Sequence, residues 1–178
     1  MIVPAPTQTT YQQYETVAQN GMTASTAGQP QLDPRILEEP TGNGVGFGLA
    51  VCQGYKSDKG CTLGALSGGA FVGITHASSV LAVATTPLPS GASRKIDTFY
   101  DTDTVPVQTF GDIWVQPLGN VASGNPAYFN SVTGQLGGSG IANAVLIEDS
   151  IWMTSLPNSS QPQINFNGLA VIRLTSMA

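Results

Sequence analysis

Apolar residues in this chain come in short runs, each closed by Gly, Pro, Asn or Asp. The clearest two lie between Val105 and Leu136. Ile113-Trp114-Val115 follows Gly111-Asp112, and Ala127-Tyr128-Phe129 follows Gly124-Asn125-Pro126. Aromatic and β-branched residues suit a pleated, half-buried surface, and the bordering residues supply turns. Gly134 stands where a tight turn needs a positive φ. The same grammar recurs along the chain. Phe47–Val51, Cys61–Leu63, Gly68–Thr75, Ala144–Ile147, Ile151–Met153 and Gly168–Leu174 read as strands. Val80–Ala84 reads as a strand or a short helix, and Arg94–Thr104 as a polar link. About eight short strands with no helix of normal length predict an all-β fold, a small β-barrel or sandwich of short antiparallel strands.

Residues 1–40 follow another pattern, rich in Gln and broken by Pro4, Pro6, Pro30, Pro34 and Pro40. Tyr11, Tyr14 and Val17 have helical spacing and fit one short amphipathic turn. The expected organisation is an extended N-terminal arm over residues 1–40 and a β-domain over residues 41–178, the breaker cluster Gly42–Gly46 marking the start of the folded body. An extended chain gains at most ~3.3–3.6 Å per residue, so such an arm reaches a neighbouring subunit. Tyr11, Tyr14 and Val17 are its candidate contacts. The apolar terminal strand, with Leu169 and Val171, needs a partner strand because an open apolar edge invites aggregation. It is a candidate subunit contact, or it pairs within its own chain.

Composition sharpens this picture. The 178 residues fit one domain, with or without an arm, and 21 Gly and 12 Pro oppose long helices. Only 10% of residues are charged, against roughly 25% in an average globular chain. With 41% hydrophobic residues the chain still folds around a core. Its surface is then largely Thr, Ser, Asn, Gln and Gly, a surface common where much of it is covered in an assembly. A net charge of -5 opposes nucleic-acid binding. Lys56/Lys59 and Arg94/Lys95 read as solvated loop charges. Met1–Pro6 lacks the basic and apolar regions of a secretory signal, and no apolar run approaches the ~20 residues of a membrane span. Cys52 and Cys61 are therefore expected as free thiols.

Candidate chemistry is sparse, and neither a cofactor nor a metal is expected. His76 is the single histidine, and no nearby Ser/Asp or Cys set completes a catalytic group with it. Asp101 and Asp103 have the spacing of an EF-hand start, but Pro106 and Asp112 occupy the positions of the required Gly and Glu. Gly137–Gly140 lacks the nucleophile elbow pattern, and Gly42–Gly46 lacks the Lys and Ser/Thr of a phosphate loop.

The order of the strand motifs resembles the bacteriophage structural cement, or capsid decoration, proteins. The motifs are Phe47-Gly48-Leu49-Ala50-Val51, Phe71-Val72-Gly73-Ile74-Thr75, Tyr100 with Val105-Pro106-Val107, and Gly111-Asp112-Ile113-Trp114-Val115. Val121–Phe129, Thr133–Leu136 and Gly168–Leu174 complete the series. The resemblance implies a non-enzymatic virion protein, made in the host cytoplasm, that binds the outer surface of the major capsid protein lattice. It brings no catalytic residues, and it suggests a homo-oligomer, a trimer before a dimer. Two other readings stand beside it. One is a hydrolase using His76 with a serine, or a pair among Asp97, Asp101, Asp103 and Asp112. The other is a carbohydrate- or receptor-binding β-module of a phage particle, with Trp114, Tyr128 or Trp152 as stacking platforms.

Overall fold

Gly111-Asp112 does not border a strand; it lies inside one. Thr104–Val115 is a single strand of 12 residues. The computed structural model describes residues 18–25, 29–39, 44–64, 69–77, 95, 97–155 and 168–175. Within these there are twelve strands and no helix. They are β1 (Thr23–Ser25), β2 (Gln31–Leu37), β3 (Val45–Gly46), β4 (Ala50–Gln53), β5 (Gly60–Leu63), β6 (Phe71–Thr75), β7 (Thr98–Phe99), β8 (Thr104–Val115), β9 (Pro126–Asn130), β10 (Leu136–Gly137), β11 (Ala144–Trp152) and β12 (Ala170–Leu174). The fold is all-β, as the pattern predicts.

The first half of β8 belongs to a barrel. It pairs antiparallel with β2 on one side and with β6 on the other, Gln108 lying opposite both Leu32 and Ile74. β2 pairs in parallel with β5, β5 antiparallel with β4, and β4 antiparallel with β6. The ring β8–β2–β5–β4–β6–β8 is closed, which removes the open edges a flat sheet would leave. One apolar cluster draws on every strand of the ring: Leu37, Val51, Cys61, Val72, Val105 and Val107, joined by Val45 and Phe99 of the β3–β7 ribbon. Phe47 stacks edge-on against Phe99 at 5.5 Å.

The second half of β8 leaves the barrel and becomes part of a sheet. Gly111 to Val115 pairs with β12, and Ile113 faces Thr23 of β1. β12, β11, β9 and β10 follow in order. The inner face of this sheet supplies Ile113, Val115, Ala127, Phe129, Ile147, Trp152 and Ile172, which bury against Ala50, Cys52 and Ile74 of the barrel wall. β4 and β6 thus separate two cores, which is why both read as nearly continuous apolar runs. Gly111 marks the crossing. Its φ is +94°, and a Cβ there would lie 3.2 Å from the Pro30 backbone. Only glycine takes that conformation without strain.

Several boundaries differ from the sequence reading. Phe47-Gly48 is a turn, and the strand begins at Ala50. The two runs expected at Ala144–Ile147 and Ile151–Met153 join in one strand, β11, which ends at Trp152 and is interrupted by a bulge between Leu146 and Ile151 where Asp149 adopts φ 53°. The polar link holds β7, whose Phe99 is buried. Gly134 has the expected positive φ, +67°.

The division at residue 40 is not a structural one. β1 and β2 are integral to the sheet and the barrel, and Asn20 ties them in further. Its Nδ2 donates to the Phe47 carbonyl at 2.5 Å, and its Oδ1 accepts the Gln116 N–H at 3.0 Å. The physical reason is that β2 is held by backbone pairing and charge rather than by apolar alternation. Leu32, Pro34 and Ile36 point outward, and Pro34 faces Pro106 where neither residue donates a ladder hydrogen bond. Tyr11, Tyr14, Val17, Val80–Ala84 and the loop Asn158–Pro162 lie outside the described residues.

The cysteines illustrate register. Cys52 lies opposite Thr62, and Cys61 opposite Gln53. Successive residues alternate between faces, so the two sulfurs point to opposite sides of the same sheet, Cys52 into one core and Cys61 into the other. Both are free and buried. Burial pushes the Cys52 thiol up to about 11 and the Cys61 thiol up to about 12. The native protein at pH 8 is expected to leave both thiols unreacted with an aromatic disulfide reagent, and the unfolded protein to titrate two. Rapid native reaction of either thiol would contradict this packing.

Candidate functional site

The residues that suggested catalysis stand apart from one another, and most are held in local structural contacts. His76 Nε2 lies 3.0 Å from Thr23 Oγ1, which in turn donates to Gln108 Oε1 at 3.2 Å. Burial lowers the His76 pKa, partly offset by a backbone hydrogen bond at Ala77, and so favours the neutral ring. Asp101 accepts the Glu39 N–H at 2.9 Å, and Asp103 accepts the Tyr100 N–H at 2.7 Å. Asp112 holds Arg173, its register partner, by two hydrogen bonds of 2.7 and 2.8 Å. Asp97 is exposed. Among the described residues no three His, Cys, Asp or Glu side chains come together as a metal site.

The aromatic platforms fare differently. Trp152 is fully buried in the core, and Trp114 and Tyr128 are half-buried. Tyr128 shares a neutral groove with Asn120, Asn125 and Ser139. Leu169 and Val171, the candidate contacts of the terminal strand, are 8% and 7% exposed, and β12 is paired on both sides within its own chain.

Contact surface is present elsewhere. A groove of about 400 Å³ opens where the barrel and the sheet meet. Phe71 and Val72 of β6 form one wall, and Val145 and Leu146 of β11 the other, above Phe129. Phe71 and Phe129 lie 5.8 Å apart across the junction. Val145 and Leu146 remain 39% and 46% exposed, although they belong to an apolar run that the sequence reading assigned to a plain strand. The β11 bulge places Glu148 and Asp149 on the groove rim. The described lining contains neither Lys nor Arg. The signal in the sequence was the run Val145-Leu146-Ile147 passing directly into Glu148-Asp149.

A second feature stands at the β4–β5 hairpin. Glu38 is buried, and its Oε2 accepts the N–H groups of Tyr55 at 2.7 Å and Lys56 at 2.8 Å. The backbone of the tip is pinned while Tyr55 stays 57% exposed, with Lys56 Nζ 5.3 Å from its ring centroid. A third feature is the outward strip Leu32, Pro34 and Ile36 on β2.

Residues 7–175 match the family described as Structural cement protein (E217 gp24/Pam3 gp6). The chain belongs to the structural cement protein family. It is therefore a structural protein of the phage capsid. Among solved structures, it is similar to a chain of the capsid of Myoviridae phage XM1, at 14% sequence identity and a TM-score of 0.62. That likeness covers 98% of this chain and 100% of the other, and it shows a shared fold. No curated protein matches this cement protein.

The charges that β2 presents beside Lys59 generate a pH dependence in the cement protein. Asp33 accepts from Arg35 at 2.7 Å and from Lys59 at 3.0 Å. Partial burial raises its pKa, but the Lys59 hydrogen bond and the Arg35 charge outweigh this and hold the carboxyl below its ordinary value. A depressed carboxylate stabilises the fold above its unfolded pKa and loses that contribution as pH falls through the folded value. Asp33→Asn is expected to lower stability at pH 6 by less than about 1 kcal/mol, given the exposure of Lys59. The difference from wild type should shrink below about pH 4. Thermal melts at both pH values check this, and a pH-independent offset would contradict it.

Proposed function

We propose that the protein binds the outer surface of the assembled major capsid protein lattice and reinforces it without catalysing a reaction. The observation that carries this reading is the family match over residues 7–175. The surface chemistry supports it. A chain with few charges exposes an apolar groove, an outward apolar strip and a pinned aromatic tip, features that mark contact surfaces. A ligand that binds only the assembled shell stabilises it by mass action, so a site spanning neighbouring capsid subunits strengthens the lattice without covalent chemistry. The protein acts as a homo-oligomer, a trimer in preference to a dimer, and the segment carrying Tyr11, Tyr14 and Val17 reaches a neighbouring capsid subunit or copy.

Particles stripped of the protein are expected to lose their contents at lower temperature than complete particles, and re-addition should restore the difference. Equal heat resistance in both would sink the proposal. Deleting residues 2–17 should weaken attachment at least tenfold while the melting temperature of the free protein stays within a few degrees. The deletion stops there because residues from Ala18 onward tie into β8. Shell binding as tight as that of the full chain would reduce the segment to a tail.

A further inference from the structure

We propose that the Tyr55–Lys56 tip of one copy seats in the apolar, acid-rimmed groove of a second copy. This deepens the homo-oligomer part of the reading above and rests on that reading only for its role on the capsid.

The tip is shaped as one half of a contact. Tyr55 is the most exposed of the large apolar side chains among the described residues. A tyrosine on a loose loop would need no explanation, but this one is held. The buried Glu38 carboxylate fixes the backbone N–H groups of both tip residues. A side chain presented from a fixed backbone loses little freedom when it docks, and tyrosine is among the residues that carry interface energy.

The groove is shaped as the other half. Phe71, Val145 and Leu146 offer an apolar slot for the ring, and Glu148 and Asp149 stand on its rim without an ion pair or side-chain hydrogen bond among the described residues. A cation next to an aromatic ring is the chemistry this rim lacks. Within the described chain Arg35 and Lys59 are engaged with Asp33, and Arg173 with Asp112. Lys56 is the cation that stands beside an exposed ring.

Position agrees with chemistry. The Gln53 N–H donates to the Ala70 carbonyl at 2.8 Å, so the hairpin emerges beside Gly69 and Ala70, which line the groove. Donor and acceptor lie side by side at one end of the barrel. Around a three-fold axis the tip of each copy reaches the groove of the next, a head-to-tail contact that closes into a ring. The rival occupant is a capsid-protein segment with apolar and basic side chains, and the test separates the two.

The test is sedimentation of the full-length protein as wild type, Lys56→Glu, Glu148→Lys, Tyr55→Ser and the double exchange Lys56→Glu with Glu148→Lys. All of these side chains are exposed, and circular dichroism confirms folding. Lys95→Glu changes net charge equally at another exposed position. Wild type and Lys95→Glu should associate alike, each single variant at the contact should weaken association tenfold or more, and the double exchange should recover most of the loss. A monomeric wild type at the highest soluble concentration, intact association in Lys56→Glu, or no recovery in the double exchange overturns the inference. Loss of particle binding in Glu148→Lys with self-association unchanged assigns the groove to the capsid protein instead, and likewise overturns it. Shell binding by the same samples is scored separately. A wild type that associates but ignores capsids defeats the capsid reading and leaves this contact standing.

Discussion

The fold depends on one strand being shared between two layers. β8 closes the barrel with its first half and carries the sheet with its second, and neither unit is complete without it. Backbone hydrogen bonds impose this, because a buried strand must pair along both edges. β2 and β6 satisfy β8 up to Phe110, and β1 and β12 satisfy it beyond. Gly111 lets the chain turn between the two sets of partners while staying buried. The barrel wall of β4 and β6 then has a core on each face. Movement of one layer would disturb the packing of both, so the two halves pack as one rigid unit.

That rigidity shapes the surface. The groove exists because barrel and sheet diverge beyond Phe71 and Phe129, leaving Val145 and Leu146 without cover. The tip exists because a carboxylate was buried to hold it. Burying Glu38 carries a desolvation cost that two backbone hydrogen bonds offset. A loop free to move would not require it. The acids that invited a catalytic reading close turns or hold Arg173 in the same way.

The all-β class was legible because Trp, Tyr, Phe and β-branched residues cluster between turn residues, and β6, β9 and β12 lie where those clusters stand. The family was legible from the order of the same clusters. β2 was not, because Gln31–Leu37 holds two charges and a proline and buries only Leu37. Its place depends on partners some seventy residues away, which local pattern cannot express. The continuity of β8 was hidden by Gly111-Asp112, which reads as a border and lies inside the strand, and that of β11 by the bulge at Glu148-Asp149. The groove and tip were illegible for a related reason. Each joins residues that sequence separates, such as Phe71 with Leu146, and Glu38 with Tyr55.

The shared strand also dictates the order in which a nascent chain can mature. β4, β5 and β6 are near neighbours and can pair as they leave the ribosome. β2 can pair early with β5 but must wait for β8 along its other edge, about 67 residues from Leu37 to Thr104, which is roughly 3–13 s at ordinary translation rates. The second half of β8 waits longer still, until β12 emerges near the C-terminus. Through that interval the apolar residues Ile113, Trp114 and Val115 lack their eventual neighbours. The pairing of β8 with β12 therefore forms late in synthesis, after β9, β10 and β11 have emerged.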